Sequence, residues 1–507
     1  MNSKLKGIIA GCIAVVCLGG TAVFLKQTEK KDDGASSSSQ AQTNPSDSSD
    51  TQVLILPGSS ENISSVDVEN AENSFTVEKP ASGKSTWSIE ALSTVNQNTS
   101  YLTTLISNCG QLTAEKLVEE NADDMAKYGL DKPLTTFTVN YTDGTSQKVL
   151  IGSEVPNNER YSYVCLDGEK KIYMVLGSKL SCFSESVNAF VATELIETPA
   201  NDNYPEYGKE TVERKDLDYK MVFENDPYNK EGMVSAQVMT EPIFSYLNVS
   251  ASTAVTHGMW GLSAQKCAVV HPSDKDMEKY GLADPSCTVT LKGDEYDYVL
   301  KIGDPVYSDS NASDSSQADS NSSEAVQTIT GYYCYLTGVS GADCIYEISA
   351  DKLPWLTIDP SDIISGLMTS NYLVDLENIE IKCENKTYSY KIETTGSSDD
   401  SDSELKKVSI DGKSLDTDKF KDFYQYVMTC PTTEIYFKEP EGESVAEINL
   451  IRKNGGKDTM EFFKDSSRRT IVKLNGKTSF RIQTSWLDTL KKNISNIESG
   501  KSIDENY

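Results

Sequence analysis

The sequence predicts an α+β protein with three tandem repeats, each a β-hairpin, a helix and a mostly antiparallel meander, preceded by an N-terminal transmembrane helix and a disordered stalk. Residues 121–133 (NADDMAKYGLDKP) recur as residues 273–285 (SDKDMEKYGLADP), and similar strand and helix patterns surround both copies. Self-similarity of this kind is typical of repeat proteins. An uncharged apolar run over residues 7–25, followed by a Ser/Asp-rich stretch, predicts the transmembrane helix and the stalk.

The first repeat is predicted to span residues 67–195. Residues 74–77 and 86–89 flank a turn that contains Pro and Gly, which predicts a hairpin. Asn98 is placed to cap a helix whose apolar residues recur every three to four positions. Further on, Asp143-Gly144 lies between two β-rich segments and is a strong signal for the start of the meander.

The recurring segment defines a structural repeat motif. Its members are Asp124, Met125, Lys127, Tyr128, Gly129, Leu130 and Pro133 in the first copy and Asp276, Met277, Lys279, Tyr280, Gly281, Leu282 and Pro285 in the second. The pattern favours a short helix that ends at a left-handed glycine, with a proline that prevents its continuation. We interpret the motif as a corner of the fold, and a ligand site used twice is the alternative.

Two further repeats follow the same order. The second is predicted over residues 205–358, with a disordered insertion at 308–324. Its segment 219–223 is aligned with the strand that contains Trp87, because a glutamate, Glu224 or Glu90, closely follows each of them.

A degenerate third repeat is predicted over residues 372–500. It has an acidic insertion at 396–404 and a helix capped by Asp416, and it lacks the Tyr-Gly-Leu motif. One of its predicted strands covers residues 446–451.

The N-terminal residues predict the location. Residues 1–6, which include Lys4 and Lys6, are interpreted as a short cytoplasmic segment, residues 7–25 as the membrane anchor and residues 26–66 as the stalk. The protein is therefore expected to be a single-pass membrane protein with its bulk outside the cytoplasm. Cleavage or lipidation of the anchor, at Cys12 for example, stays open.

Composition excludes several functions. A formal net charge of −30 disfavours nucleic acid as a partner, because phosphate binding requires a basic surface. The chain has only two histidines, His257 and His271, and no pattern typical of a calcium loop or a zinc site. The sequence thus predicts no catalytic, cofactor-binding or metal-binding residues. Cys334 and Cys344 could form a disulfide across a predicted hairpin, while buried free thiols are the alternative.

One combination of residues resembles a known family. Trp87, Lys127-Tyr128-Gly129-Leu130 with Pro133, Thr142-Asp143-Gly144 and Ile151-Gly152 are similar to the bacterial domain of unknown function DUF4340. The resemblance implies a membrane-anchored envelope protein, of a kind often encoded beside ABC-2-type permeases and gliding-motility-type transporters. It implies no catalytic residues.

These observations lead to two functional hypotheses. The first is a non-enzymatic, membrane-anchored extracytoplasmic protein that serves as an accessory or binding component of an ABC-type export system, with a permease as its partner. The alternative is an independent surface module that binds glycan or peptide in a groove between repeats.

Overall fold

The computed structural model describes residues 53–56, 58–80, 86–226, 228, 233–308, 327–400 and 402–507. These residues form four antiparallel sheets, one of two strands and three of eight or nine strands. The prediction of an α+β fold is therefore wrong, and the described chain is mostly β-sheet. The predicted helices account for little of it, because each large sheet carries two or more helices of only 4 to 15 residues.

The first large sheet has the strand order β4-β3-β2-β7-β8-β9-β10-β6. Strand β2, which comes first along the chain, lies inside the sheet and pairs with both β3 and β7. The strands of this sheet are β2 (Ile63–Glu69), β3 (Ser74–Glu78), β4 (Ser88–Ile89), β6 (Lys116–Glu119), β7 (Thr135–Tyr141), β8 (Ser146–Val155), β9 (Asn158–Leu166) and β10 (Ile172–Leu176). Strands β1 (Val53–Leu54) and β5 (Thr113–Ala114) form the two-stranded sheet.

The second sheet repeats this order as β14-β13-β12-β11-β16-β17-β18-β19-β15, with one added edge strand. Its strands are β11 (Lys209–Arg214), β12 (Met221–Asn225), β13 (Gln237–Glu241), β14 (Ser245–Tyr246), β15 (Lys266–Val270), β16 (Cys287–Lys292), β17 (Asp297–Tyr307), β18 (Ile329–Thr337) and β19 (Cys344–Ser349). Strand β12 corresponds to β3, so the predicted alignment of residues 219–223 with the Trp87 strand is wrong by one strand. The Trp87 strand, β4, corresponds to β13.

The third sheet has the order β23-β22-β21-β20-β24-β25-β26-β27 and lacks a counterpart of the edge strands β6 and β15. Its strands are β20 (Leu376–Cys383), β21 (Lys386–Thr395), β22 (Glu404–Ile410), β23 (Lys413–Leu415), β24 (Ala446–Arg452), β25 (Lys457–Lys464), β26 (Arg469–Leu474) and β27 (Lys477–Gln483). At the edge that β6 or β15 forms in the other two large sheets, the third sheet has an isolated bridge between Ile435 and Phe480. The segment 396–404, predicted as an insertion, connects β21 to β22.

The helices have local causes in the sequence. They are α1 (Thr99–Gly110), α2 (Gly177–Ser184), α3 (Val249–Thr256), α4 (Asp274–Lys279), α5 (Pro360–Ile363), α6 (Thr417–Met428) and α7 (Thr484–Glu498). The predicted caps are confirmed: Asn98 accepts a hydrogen bond from the Tyr101 amide in α1, and Asp416 accepts two in α6. Each capping side chain satisfies amides that the first helical turn leaves unpaired. Both helices bury an apolar face in a core shared by the three large sheets.

The segment before each of the first two repeats is hydrogen-bonded to that repeat. The backbone amides of Ile55 and Leu56 donate to the carbonyl of Leu112, at 2.8 and 3.2 Å, and those of Leu195 and Ile196 donate to Leu262 at 2.9 and 3.2 Å. Ile55 and Leu56 are buried. The first repeat thus begins inside the stretch predicted to be a stalk.

The predicted single-pass membrane protein is not supported. No helix among the residues described here is long and apolar enough to cross a membrane. The segments predicted as cytoplasmic start (1–6), anchor (7–25) and most of the stalk (26–52) lie outside the described residues, as does nearly all of the predicted insertion at 308–324.

Candidate functional site

The repeated motif lies at a corner that leads into the meander. In the first repeat, Gly129 ends a short 3-10 turn with a φ of 67°, and Leu130 is buried. The corner lies against Gly152, where a Cβ atom would come within 2.2 Å of the Tyr128 carbonyl oxygen. The second repeat has the same arrangement, since a Cβ on Gly303 would lie 2.2 Å from the Tyr280 carbonyl oxygen. This close approach explains why the Tyr-Gly-Leu and Ile-Gly segments occur together.

The polar members of the motif contact one another or residues close to them. Lys127 Nζ donates to the Tyr128 hydroxyl at 3.0 Å, and Lys279 Nζ to that of Tyr280 at 3.1 Å. Asp276 completes a capping box with Ser273 at the start of α4. Asp124 accepts a hydrogen bond from the Ala126 amide. Pro133 and Pro285 each stand two residues before a strand, β7 or β16. The Tyr128 hydroxyl also donates to Glu119 in β6, so the motif of the first repeat is tied to the edge of its own sheet.

The predicted disulfide between Cys334 and Cys344 is not formed. All nine described cysteines are free and buried. The register pairs Cys334 with Tyr346, two residues beyond Cys344, so the two cysteines are not opposite each other. The interaction of the Cys344 thiol with that of Cys267 lowers the pKa of Cys344.

The histidines lie in separate places. His271 Nδ1 is 2.8 Å from Asp343 Oδ2, and its Nε2 is 2.6 Å from the Thr94 hydroxyl. His257 contacts the Thr256 hydroxyl at 2.9 Å. In the part of the chain that the structure describes, no group of three or more His, Cys, Asp or Glu side chains is placed to hold a metal ion.

A buried polar network joins the second repeat to the third. At its centre, Arg452 Nη2 lies 2.9 Å from Asp458 Oδ2, and both side chains are at most 5% exposed. Tyr246, from the last strand of the β13–β14 hairpin, donates to Asp458 Oδ1 at 2.7 Å. Because a buried charge is costly unless it is paired and hydrogen-bonded, this arrangement requires all its partners.

The segment between the two repeats completes the network. Asn371 accepts a hydrogen bond from Arg452 Nε and donates to Asp458 Oδ2 at 2.6 Å. Thr369 also donates to Asp458 Oδ2, at 2.8 Å. Burial raises the pKa of Tyr246 well above its usual value, and the charge of Asp458 adds to this effect. The Tyr246 hydroxyl therefore remains a neutral donor.

Three hollows surround this network. The first, of about 260 Å³, is lined by polar residues and tyrosines, and its wall includes Arg452, Lys453, Asp375, Ser398 and Asn371. Tyr228 and Tyr372 also line it, and the Arg452 guanidinium carbon lies 5.5 Å from the centre of the Tyr228 ring. The second hollow, of about 420 Å³, is mostly apolar. The third, of about 320 Å³, lies between Arg452 and the β12–β13 region of the second repeat.

The first repeat has an uncharged counterpart of the central pair. Tyr141 and Arg452 occupy the same position before a hairpin turn, since their amides donate to Thr145 and Gly456 at 2.9 and 2.8 Å. Tyr141 donates to Gln147 at 3.1 Å, where the third repeat has Arg452 with Asp458. The sequence predicts a strand that stops at Ile451, which leaves Arg452 in a turn. An arginine in the place of Tyr141 is the signal that could have identified the site.

Together, the fold and the site define a tandem array of antiparallel-sheet repeats with a polar hollow at the junction of the second and third. Residues 87–203, within and just after the first repeat, match the family model described as Domain of unknown function (DUF4340), so the chain contains a DUF4340 domain. The resemblance seen in the sequence is confirmed over that stretch. No curated protein and no solved structure matches the chain.

Proposed function

We propose that the protein is a non-enzymatic binding module that holds its ligand at the junction of the second and third repeats. The observation that supports this most is the first hollow, whose walls combine Arg452, amide and hydroxyl groups with two tyrosine rings. Tyr228 and Tyr372 are 47% and 39% exposed, so each offers a ring face or edge to a ligand. A concave site with a few convergent polar groups is the usual form of a ligand pocket.

The charges around this hollow favour a ligand with little net charge. Arg452 and Lys453 contribute two positive charges to the lining, and Asp375 and Asp399 contribute two negative ones. Arg452 is also paired with Asp458. A glycan or a peptide main chain offers neutral donors and acceptors that match such a lining. A polyanion such as nucleic acid would meet little net attraction.

The accessory role beside an ABC-type export system stays a prediction, as does the absence of catalysis. Both depend on the sequence and on the family resemblance. The junction site is compatible with either an independent binding module or a component of a larger assembly.

The proposal is tested by screening the full chain against a glycan array and a phage library of random heptapeptides, followed by calorimetry of the binders. Tyr228→Ala and the space-filling Ser398→Trp should each weaken binding at least about tenfold, which corresponds to about 1.4 kcal/mol. Tyr307→Ala is the matched control, because Tyr307 is also 47% exposed and does not line the hollow. Binders that tolerate both Tyr228→Ala and Ser398→Trp would refute the proposed site.

A further inference from the structure

The second hollow extends the site with a different chemistry. This groove lies beside α6, and its apolar lining is contributed by Met233 from the second repeat, Leu367 and Leu373 from the connecting segment, and Met428 from α6. Its volume of about 420 Å³ is within the range of small-ligand pockets. Methionine side chains are flexible and polarisable, so a groove that contains two of them can adapt to several apolar shapes.

The polar hollow and the apolar groove share a wall. Asn371 and Tyr372 line both of them. Asn371 is fixed, because its side chain is held by Arg452 and Asp458 and its carbonyl oxygen accepts from the Tyr424 hydroxyl at 2.7 Å. Tyr372 is 39% exposed and forms the outer part of the same wall. A single extended ligand can therefore reach from one hollow into the other across Tyr372.

We infer that the ligand is a peptide segment that places an apolar side chain in the groove beside α6 and its polar groups in the hollow beside Arg452. This inference rests on the proposed function and specifies its ligand. A peptide combines neutral main-chain donors and acceptors with an aliphatic or aromatic side chain a few ångströms away. A glycan would satisfy the polar hollow and leave the groove unused. A lipid chain would fill the groove and place little in a hollow with two positive and two negative side chains.

The energetic difference between these ligands is large enough to measure. Burial of a Leu, Met or Phe side chain contributes roughly 1.5–3 kcal/mol, which corresponds to at least a tenfold change in affinity. The bound peptide should therefore contain Leu, Met or Phe next to polar residues, and replacement of that residue by Ser should weaken binding at least about tenfold.

Two variants of the groove test this inference in the full chain. Leu373→Asn makes the wall polar at a half-buried position, and Gln425→Trp fills the groove from an exposed position of α6. Each variant should bind the peptides selected from the heptapeptide phage library with at least about tenfold lower affinity than the wild type. In Leu373→Asn, replacement of the apolar peptide residue by Ser should have little further effect, because the partner of that residue is already lost. Val445→Asn is the matched control, because Val445 is 41% exposed, immediately precedes β24 and does not line the groove.

The outcomes separate this inference from the proposed function. Binders that depend on Tyr228 but not on Leu373 or Gln425 would overturn the peptide assignment and leave the binding site in place. A glycan whose binding depends on Tyr228 but not on Leu373 or Gln425 would also overturn the peptide assignment. Binders that depend on none of these residues would overturn both. If thermal melting shows that Leu373→Asn is unfolded, the Gln425→Trp variant decides alone.

Discussion

A buried carboxyl group in the second repeat should make the stability of the protein fall as the pH rises. Glu210 lies in β11, is completely buried, and accepts a hydrogen bond from Trp355 Nε1 at 2.7 Å. Its other oxygen lies 3.0 Å from the Tyr207 hydroxyl. Burial raises the pKa of Glu210 from 4.5 to about 8, although both hydrogen bonds oppose this shift. The same register position in the first repeat holds the buried Val66, so the first repeat lacks this carboxyl group.

The magnitude follows from proton linkage. Above pH 4.5 the unfolded chain loses the Glu210 proton, whereas the folded chain keeps it until the pH approaches 8. The stabilisation is thus complete below pH 4.5 and is lost as the pH rises to about 8. The free energy of unfolding should fall by about 1.4 kcal/mol per pH unit, or about 5 kcal/mol over the whole interval.

The assay is urea unfolding at several pH values between 5 and 8, followed by tryptophan fluorescence. Glu210→Gln keeps an oxygen that accepts from Trp355 Nε1 but does not ionise. The free energy of unfolding of this variant, relative to that of the wild type, should therefore rise by about 1.4 kcal/mol per pH unit. Glu213→Gln, at an exposed position of the same strand, should keep the wild-type slope. Parallel pH profiles of the wild type and Glu210→Gln would refute the reasoning.

Two further substitutions test the corner and the junction. Gly152→Ala should destabilise the protein by about 2 kcal/mol or more, because the added Cβ would meet the backbone of Tyr128. Gly366→Ala, with no atom within 4 Å of the new Cβ, should stay within about 0.5 kcal/mol, and equal melting temperatures of the two variants would contradict this account. Arg452→Met should cost about 3–5 kcal/mol in urea unfolding, because Asp458 is left buried without its cation. Arg452→Tyr combined with Asp458→Gln, which recreates the pair of the first repeat, should recover at least half of that loss. If Arg452→Met unfolds at the same urea concentration as the wild type, the ion pair is dispensable for stability.

The features that the sequence predicts correctly depend on neighbouring residues. The caps at Asn98 and Asp416 and the turn at Asp143-Gly144 need only a few adjacent positions, and all three are present. The left-handed glycine of the repeat motif is of the same kind. Caps and turns of this kind can be predicted from a single sequence because the interacting residues are at most a few positions apart.

The predicted fold class is wrong because one strand of the first repeat is difficult to recognise in the sequence. Strand β2 lies in a Ser-rich segment, and a register shift between Ile63 and Ser65 interrupts its alternation of buried and exposed residues. Without β2, the hairpin and the meander look like separate units. With it, they join into one sheet, so strands dominate over helices.

Apart from the arginine in the place of Tyr141, the sequence gives no sign of the junction site, because its members are distant in the sequence. Tyr246 and Asp458 are 212 residues apart, and Asn371 and Arg452 are 81 residues apart. Each of these residues alone is an ordinary polar residue at the end of a strand or in a connection. Only the packing of two repeats against each other brings them together and removes them from water.

The hydrogen bonds between Leu262 and the segment that precedes the second repeat have a practical consequence for dissecting the protein. The predicted boundary at residue 205 would cut this segment away from the repeat to which it is hydrogen-bonded. A fragment beginning there would leave the Leu262 carbonyl oxygen without the two amide donors that it has in the full chain, and would lose the buried side chains of Leu195 and Ile196. A fragment beginning near residue 190 keeps both, so the natural unit of this array starts before its first long strand.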